Sequence, residues 1–276
     1  MVPEQLRAEV LNQQFTLRPI KAAMIDFDGT LSLLREGWDR VMTSMMVHEL
    51  QKLPGTSEAS EQLQHQVSAW VVKLNGQPTI DQMIALAEEV KLRGGQPQTA
   101  SDYKHRYLTL LMESVNERKK QITLNGSTDQ WLVPGARQML VTLQQRGIPM
   151  LLASGTDLDA LQNEANLLNI DQFFDQGIAG PESDTSSFTK ADACDLMLQR
   201  LSLPAKSLLN IGDGYVETRL TRDRGGVAIG VAYDAEHPGQ YHAWRREQLI
   251  RAGADLIIPD MTQHDLLLRW ILDGHA

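Results

Sequence analysis

The sequence holds a single cysteine, Cys194, among 276 residues. One cysteine excludes an internal disulfide and any cysteine-rich metal centre, and it fits a reducing compartment. No stretch approaches the uncharged apolar length of a membrane span. The opening segment MVPEQLRAEVLNQQF has no apolar centre of the signal-peptide kind. These absences point to a soluble, cytoplasmic protein. There is also no basic run that could track a phosphate backbone, and the net charge is −9, so nucleic acid is not an expected partner. Aromatic residues make up only 5% of the chain. Trp38, Trp70, Trp131, Trp244 and Trp270 lie scattered and read as packing or surface anchors rather than a stacking platform. The histidines show no ligand spacing, which argues against zinc. No internal repeat or low-complexity tract is visible.

What is present is a set of short apolar runs that end in small or acidic residues. PIKAAMIDF is the first, and Asp26, Asp28 and Gly29 close it. IPMLLASG (148–155), SLLNIGDG (207–214), GGVAIGVA (225–232) and ADLIIPD (254–260) repeat the pattern. Runs of this kind suit buried parallel strands. Helical stretches fall between them, at 135–146, 157–169, 189–201, 215–223 and 241–251. Strand and helix alternating at this spacing predicts an α/β fold, a Rossmann-like parallel sheet with helices on both faces. Residues 33–130 differ. They show no strong strand signal and read as helices near 37–53, 57–74, 79–92 and 99–121. Thr79 and Gln82 fit a capping box at the start of the third of these. Ile80, Met83, Ile84, Ala87 and Val90 form an apolar stripe on it. The expected organisation is a core of residues 1–32 and 131–276, with a helical domain of residues 33–130 inserted after the first strand.

Ligands of open parallel sheets bind beyond the carboxyl ends of the strands. The polar residues fall there. Asp26 and Asp28 end the first strand, Ser154, Gly155 and Thr156 the second, and Gly212, Asp213 and Gly214 the third, with Glu217 just after it. Lys190 opens a helix between the second and third. Two carboxylates one residue apart repel each other unless a cation or a proton intervenes. Each residue also has a plainer reading. Ser154 could cap the helix that starts near Asp157. Lys206 rivals Lys190, but it precedes the third strand, at the wrong end. Glu217 could sit on a helix surface, and Cys194 reads as a small core residue.

DFDGT after an apolar strand, then SGT, then a lysine, then GDGYVE, resembles the haloacid dehalogenase superfamily of phosphohydrolases. The helical insert resembles its C1-type cap. The resemblance implies a magnesium-dependent phosphatase acting on a small phosphorylated metabolite, a sugar phosphate or a phosphoglycolate-like acid. It implies Asp26 as nucleophile and Asp28 as general acid and base, roles that suit carboxylates. Gly29, Thr30, Ser154, Gly155 and Lys190 would hold the phosphate, with backbone N–H groups near Phe27 to Thr30 contributing. Asp26, the backbone carbonyl of Asp28, and Asp213 would hold Mg²⁺, with Glu217 behind them. Arg35, Asn75 and Gln77 are candidates for touching the substrate from the cap side. A phosphomutase of the same superfamily is one alternative, and a non-catalytic partner of a sugar kinase is another. A dehalogenase or a phosphonate hydrolase fits less well, because Asp28 is present.

Overall fold

The computed structural model describes residues 3–12, 14, 19–74, 77–182 and 188–273. The core strands are β1 (Glu9–Val10), β2 (Ala22–Ile25), β3 (Met150–Ala153), β4 (Ile178–Ala179), β5 (Leu208–Gly212), β6 (Val227–Val231) and β7 (Leu256–Ile258). They form one sheet in the order β1-β7-β6-β5-β2-β3-β4. Every neighbouring pair is parallel except β1 and β7. The two-residue strands β1 and β4 lie at the two edges. They are additions to the five runs legible in the sequence.

Side chains along β2 alternate between the two faces of the sheet, and both faces are covered. Ala23 and Ile25 enter the larger apolar core with Leu152, Leu209 and Ile211. That core is roofed by α5 (Ala136–Gln145), α6 (Leu158–Leu167) and α10 (His264–Leu272). Ala22 and Met24 enter a second cluster with Leu151, Ala153 and Leu208. There α7 (Lys190–Arg200) supplies Cys194, Met197 and Leu198, and α8 (Tyr215–Asp223) packs Leu220 alongside. Double coverage is why β2 reads as an unbroken apolar run rather than an alternating one. Cys194 is buried as a core residue.

The helical insert comprises α1 (Trp38–Leu50), α2 (Ser60–Lys73), α3 (Thr79–Leu92) and α4 (Ala100–Asn125). It has its own apolar core, built on Met42, Met46, Leu50, Leu63, Val67, Met83, Leu86, Tyr103 and Leu111. Two details depart from the sequence reading. The N-cap of α3 is Pro78, with ψ 139, and no side chain caps it. Proline has no N–H, so a reciprocal capping box cannot form in that register. The box forms instead on α4, between Thr99 and Asp102. The buried stripe of α3 is Ile80, Gln82, Met83, Leu86 and Val90. Ile84 is exposed, and Gln82 takes an inward place. No described helix is long and apolar enough to cross a membrane.

The chain runs outward from β2 to β3 and β4, then returns to the other side of β2 as β5, β6 and α9 (Ala243–Ala252), ending in β7 and α10. The order of connection therefore reverses between β2 and β5. That crevice is where open α/β sheets gather ligands.

Candidate active site

Asp26 follows β2, and Asp213 follows β5, on adjacent strands at the reversal. Both are buried, at 6% and 5% exposure. Glu217 lies on the first turn of α8, and the N–H of Gly214 donates to its Oε1 at 2.6 Å. Ligand oxygens of Asp26, Asp213 and Glu217 all fall within 4.8 Å of one another. A Cβ on Gly29 would stand 2.3 Å from Oδ2 of Asp213, and Gly29 has φ +77. Only a residue without a side chain lets the β2 turn approach this closely in that conformation.

One cation is built into the cluster. Lys190, the first residue of α7, donates from Nζ to Asp26 Oδ1 at 2.6 Å and to Glu217 Oε2 at 3.0 Å. The hydroxyl of Thr30 donates to the other Asp26 oxygen at 3.1 Å. Arg245, on α9, brings Nε to 3.6 Å from Asp213 Oδ2. It also donates to Tyr233 O at 2.9 Å and to Glu36. Burial pushes Asp26 up to about 7, the lysine opposing the shift. Burial likewise pushes Asp213 well above the usual carboxylate range, against Arg245. Lys190 is held above its ordinary value by Asp26 and Glu217, which together outweigh its own burial. Three buried carboxylates, with Lys190 between two of them and Arg245 shared between Asp213 and Glu36, carry excess negative charge. Hard oxygen donors in that surplus suit Mg²⁺, so these residues fit the ion that the sequence motif implies.

Asp28 faces the other way. Its Oδ2 accepts from the Thr156 hydroxyl at 2.7 Å and from the Ser154 hydroxyl at 3.4 Å. Its Oδ1 makes no hydrogen bond and lies 3.8 Å from Nε of Arg35. Burial raises the Asp28 pKa, with Arg35 opposing. Ser154 does not cap α6; Asp157 occupies the N-cap. The Ser154 hydroxyl instead accepts from the Thr156 N–H at 3.1 Å.

Asp26, Asp28, Arg35, Ser154, Gly155 and Gln77 share one small cavity of about 50 Å³. Gly29 and Thr30 spend their N–H groups inside the turn, on Ser32 O and Phe27 O. Thr30 supports Asp26 through its hydroxyl rather than lining the cavity. Gln77 meets Gly155 closely: a Cβ on Gly155 would lie 2.4 Å from the Gln77 carbonyl oxygen. Asn75 falls outside the described residues. Arg35 is a buried ion-pair partner, giving Nε and Nη2 to Glu164 at 3.0 and 2.8 Å.

Sequence reasoning passed over Glu164, Arg245 and Tyr107, and took Gln82 only for a helix cap. Thr156 closes the quoted SGT at the end of the second strand, without a role of its own there. Glu164 left a signal, a carboxylate inside the apolar spacing of Leu161, Ala165 and Leu168. Arg245 left none, because only the fold carries α9 to Asp213. A larger cleft of about 220 Å³ adjoins on the Arg245 side, lined by Asp213, Glu36 and Trp38 among others.

A model of the haloacid dehalogenase-like hydrolases matches residues 20–218. No curated protein sequence matches significantly. Solved structures are similar in fold. A predicted phosphatase from Clostridium acetobutylicum aligns over 91% of this chain and 99% of its own, at 19% identity and TM-score 0.57. A predicted phosphoglycolate phosphatase from Haemophilus somnus 129PT aligns over 88% and 96%, at 16% identity and TM-score 0.57. A β-phosphoglucomutase from Clostridium difficile aligns over 88% and 92%, at 16% identity and TM-score 0.55.

Proposed function

The chain belongs to the haloacid dehalogenase-like hydrolases, and from that premise we propose that it is a magnesium-dependent phosphohydrolase of small phosphorylated metabolites, sugar phosphates or phosphoglycolate-like acids, working through an aspartyl phosphate. The observation that carries this reading is one of assembly. Asp26 joins two groups of side chains from separate loops: it is buried with Lys190, Asp213 and Glu217 on one side and shares a cavity with Asp28 and Ser154 on the other.

Asp26 is the nucleophile. Lys190 and Thr30 hold one carboxylate oxygen each, which fixes the direction of attack. An Asp26 oxygen bonds to phosphorus as the ester P–O bond breaks. Asp28 gives its proton to the departing alkoxide. Its burial favours the protonated form that this step needs. Its Oδ1 has no competing hydrogen bond, so a proton on it is free to transfer. Asp28 then takes a proton from water, the oxygen of which attacks phosphorus. The P–O bond to Asp26 breaks, and inorganic phosphate leaves. Lys190 offsets negative charge through both half-reactions, and the Ser154 hydroxyl and the Gly155 loop border the phosphoryl position. Mg²⁺, held by Asp26, the Asp28 backbone carbonyl and Asp213 with Glu217 behind, supplies the remaining positive charge when bound.

The test is phosphate release from a broad panel of phosphorylated metabolites with Mg²⁺, with EDTA and Asp26→Asn as controls. Both controls are expected to abolish release. Asp26→Asn activity within about tenfold of wild type, or about 1.4 kcal/mol, refutes the covalent role. The fold shared with a β-phosphoglucomutase keeps a mutase as a second reading. Conversion of a sugar phosphate to its isomer, without free phosphate, would establish that reading instead.

A further inference from the structure

The cap side of the catalytic cavity is formed by Trp38, Met42, Gln77, Thr79, Gln82 and Tyr107. None of these bears a charge at neutral pH. Gln82 stands out. It is 4% exposed, it lines the cavity, and its Oε1 has no hydrogen-bond partner. A buried amide oxygen left unpaired is costly unless a ligand completes it. A hydroxyl both donates and accepts, so it satisfies either end of the Gln82 amide without bringing a charge.

The basic residues around the cavity point the same way. Arg35 reaches it but is paired bidentately with Glu164 and lies near Asp28. Lys119 of α4 is also on Glu164, at 2.9 Å. Arg35 and Lys119 are thus matched by Asp28 and Glu164, with no net positive charge left over. Lys104 is bound to Asp157 at 2.8 Å. Arg118 donates to the carbonyls of Leu33, Leu34 and Glu36. Among the described residues, the cavity therefore has no uncommitted cation for a second anionic group on the substrate.

We propose that this cavity selects phosphomonoesters of uncharged polyols, and that Gln82 reads a hydroxyl of the leaving group. The inference rests on the hydrolase reading above and narrows it. It turns the site away from phosphoglycolate, which carries a carboxylate.

Three probes test it with Mg²⁺: glycerol 1-phosphate, propyl phosphate and 2-phosphoglycolate. Wild-type kcat/KM is expected to favour glycerol 1-phosphate at least tenfold over each of the others, since a site built to bond a hydroxyl rejects the analogue without it. This comparison needs no variant. In Gln82→Leu the ratio of glycerol 1-phosphate to propyl phosphate should fall to within about threefold of unity. A wild-type preference for 2-phosphoglycolate, or an unchanged ratio in Gln82→Leu, overturns the inference and leaves the hydrolase standing. So does hydrolysis of other phosphomonoesters with none of these three turned over. If no phosphomonoester is hydrolysed at all, the hydrolase reading falls and this inference with it.

Discussion

Gly155→Ala separates closure of the cap from stability of the fold. The Cβ it adds would lie 2.4 Å from the Gln77 carbonyl oxygen and 2.9 Å from its carbon, both backbone atoms. Ordinary contact begins near 3.4 Å. The Gln77 loop must therefore retreat by about 1 Å, a displacement on the scale that costs about 100-fold in rate when reacting groups lose alignment. That is about 2.7 kcal/mol of barrier. Gly155 is not among the glycines with positive φ. Alanine therefore adds no backbone strain, and it narrows the unfolded ensemble, which favours folding by about 0.4–1 kcal/mol. The expectation is a kcat/KM for phosphate release lowered ten- to 100-fold with Tm within a few degrees of wild type. Steady-state kinetics and a thermal melt on the same preparation decide it. A variant with wild-type kcat/KM refutes the argument that the Gln77–Gly155 contact sets the catalytic geometry. A collapse of Tm refutes the claim that the glycine serves closure rather than folding.

Gly29→Ala should fail on both counts, because the position has φ +77 and its Cβ would stand 2.3 Å from Asp213 Oδ2. A loss of about 1–2 kcal/mol from the left-handed backbone alone is expected in a denaturant melt, together with weakened Mg²⁺ binding. Without a cation, stability should fall as pH rises from the unfolded Asp26 value of 3.8 to the folded value near 7, since the folded state holds the extra proton across that window. Asp28 and Asp213 shift in the same direction. Mg²⁺ binds the ionised oxygens, so its effect on Tm should be larger at pH 8 than at pH 5.5; equal effects at both would refute the burial argument. Lys190→Met leaves Asp26 and Glu217 buried without their shared cation and should cost about 3–5 kcal/mol in urea unfolding. A cost below about 1 kcal/mol would show that the pair is not held by the lysine.

The sheet was legible where strands are buried on both faces. β2, β3, β5, β6 and β7 each carry an apolar run long enough to read. β1 and β4 are two residues each and belong to the edges, where no such run is required. At the site, residues placed by strand ends were visible, because a strand that stops in Asp or Ser-Gly announces its turn. Residues placed by tertiary approach were not. Arg245 reaches Asp213 from α9, and nothing in its own neighbourhood marks it. Gln82 was read as part of a cap on its own helix. Pro78 takes the cap position, and the amide turns into the cavity instead. Glu164 could have been found from its place in an apolar stripe. Its partners could not, since Arg35 lies 129 residues away.

Glu164 has a consequence for attempts to exchange parts between relatives. It is fully buried in the core half of the molecule, yet both its basic neighbours lie within residues 33–130, Arg35 just before α1 and Lys119 on α4. A transplanted insert lacking a basic residue at either place would leave Asp28 and Glu164 facing a single cation. The pocket would then carry an uncancelled negative charge beside the place where a phosphoryl group must arrive. Such a chimera could fold and still repel every substrate offered to it. The two halves are therefore not independent modules: compatible grafts must bring their own counter-charge to Glu164.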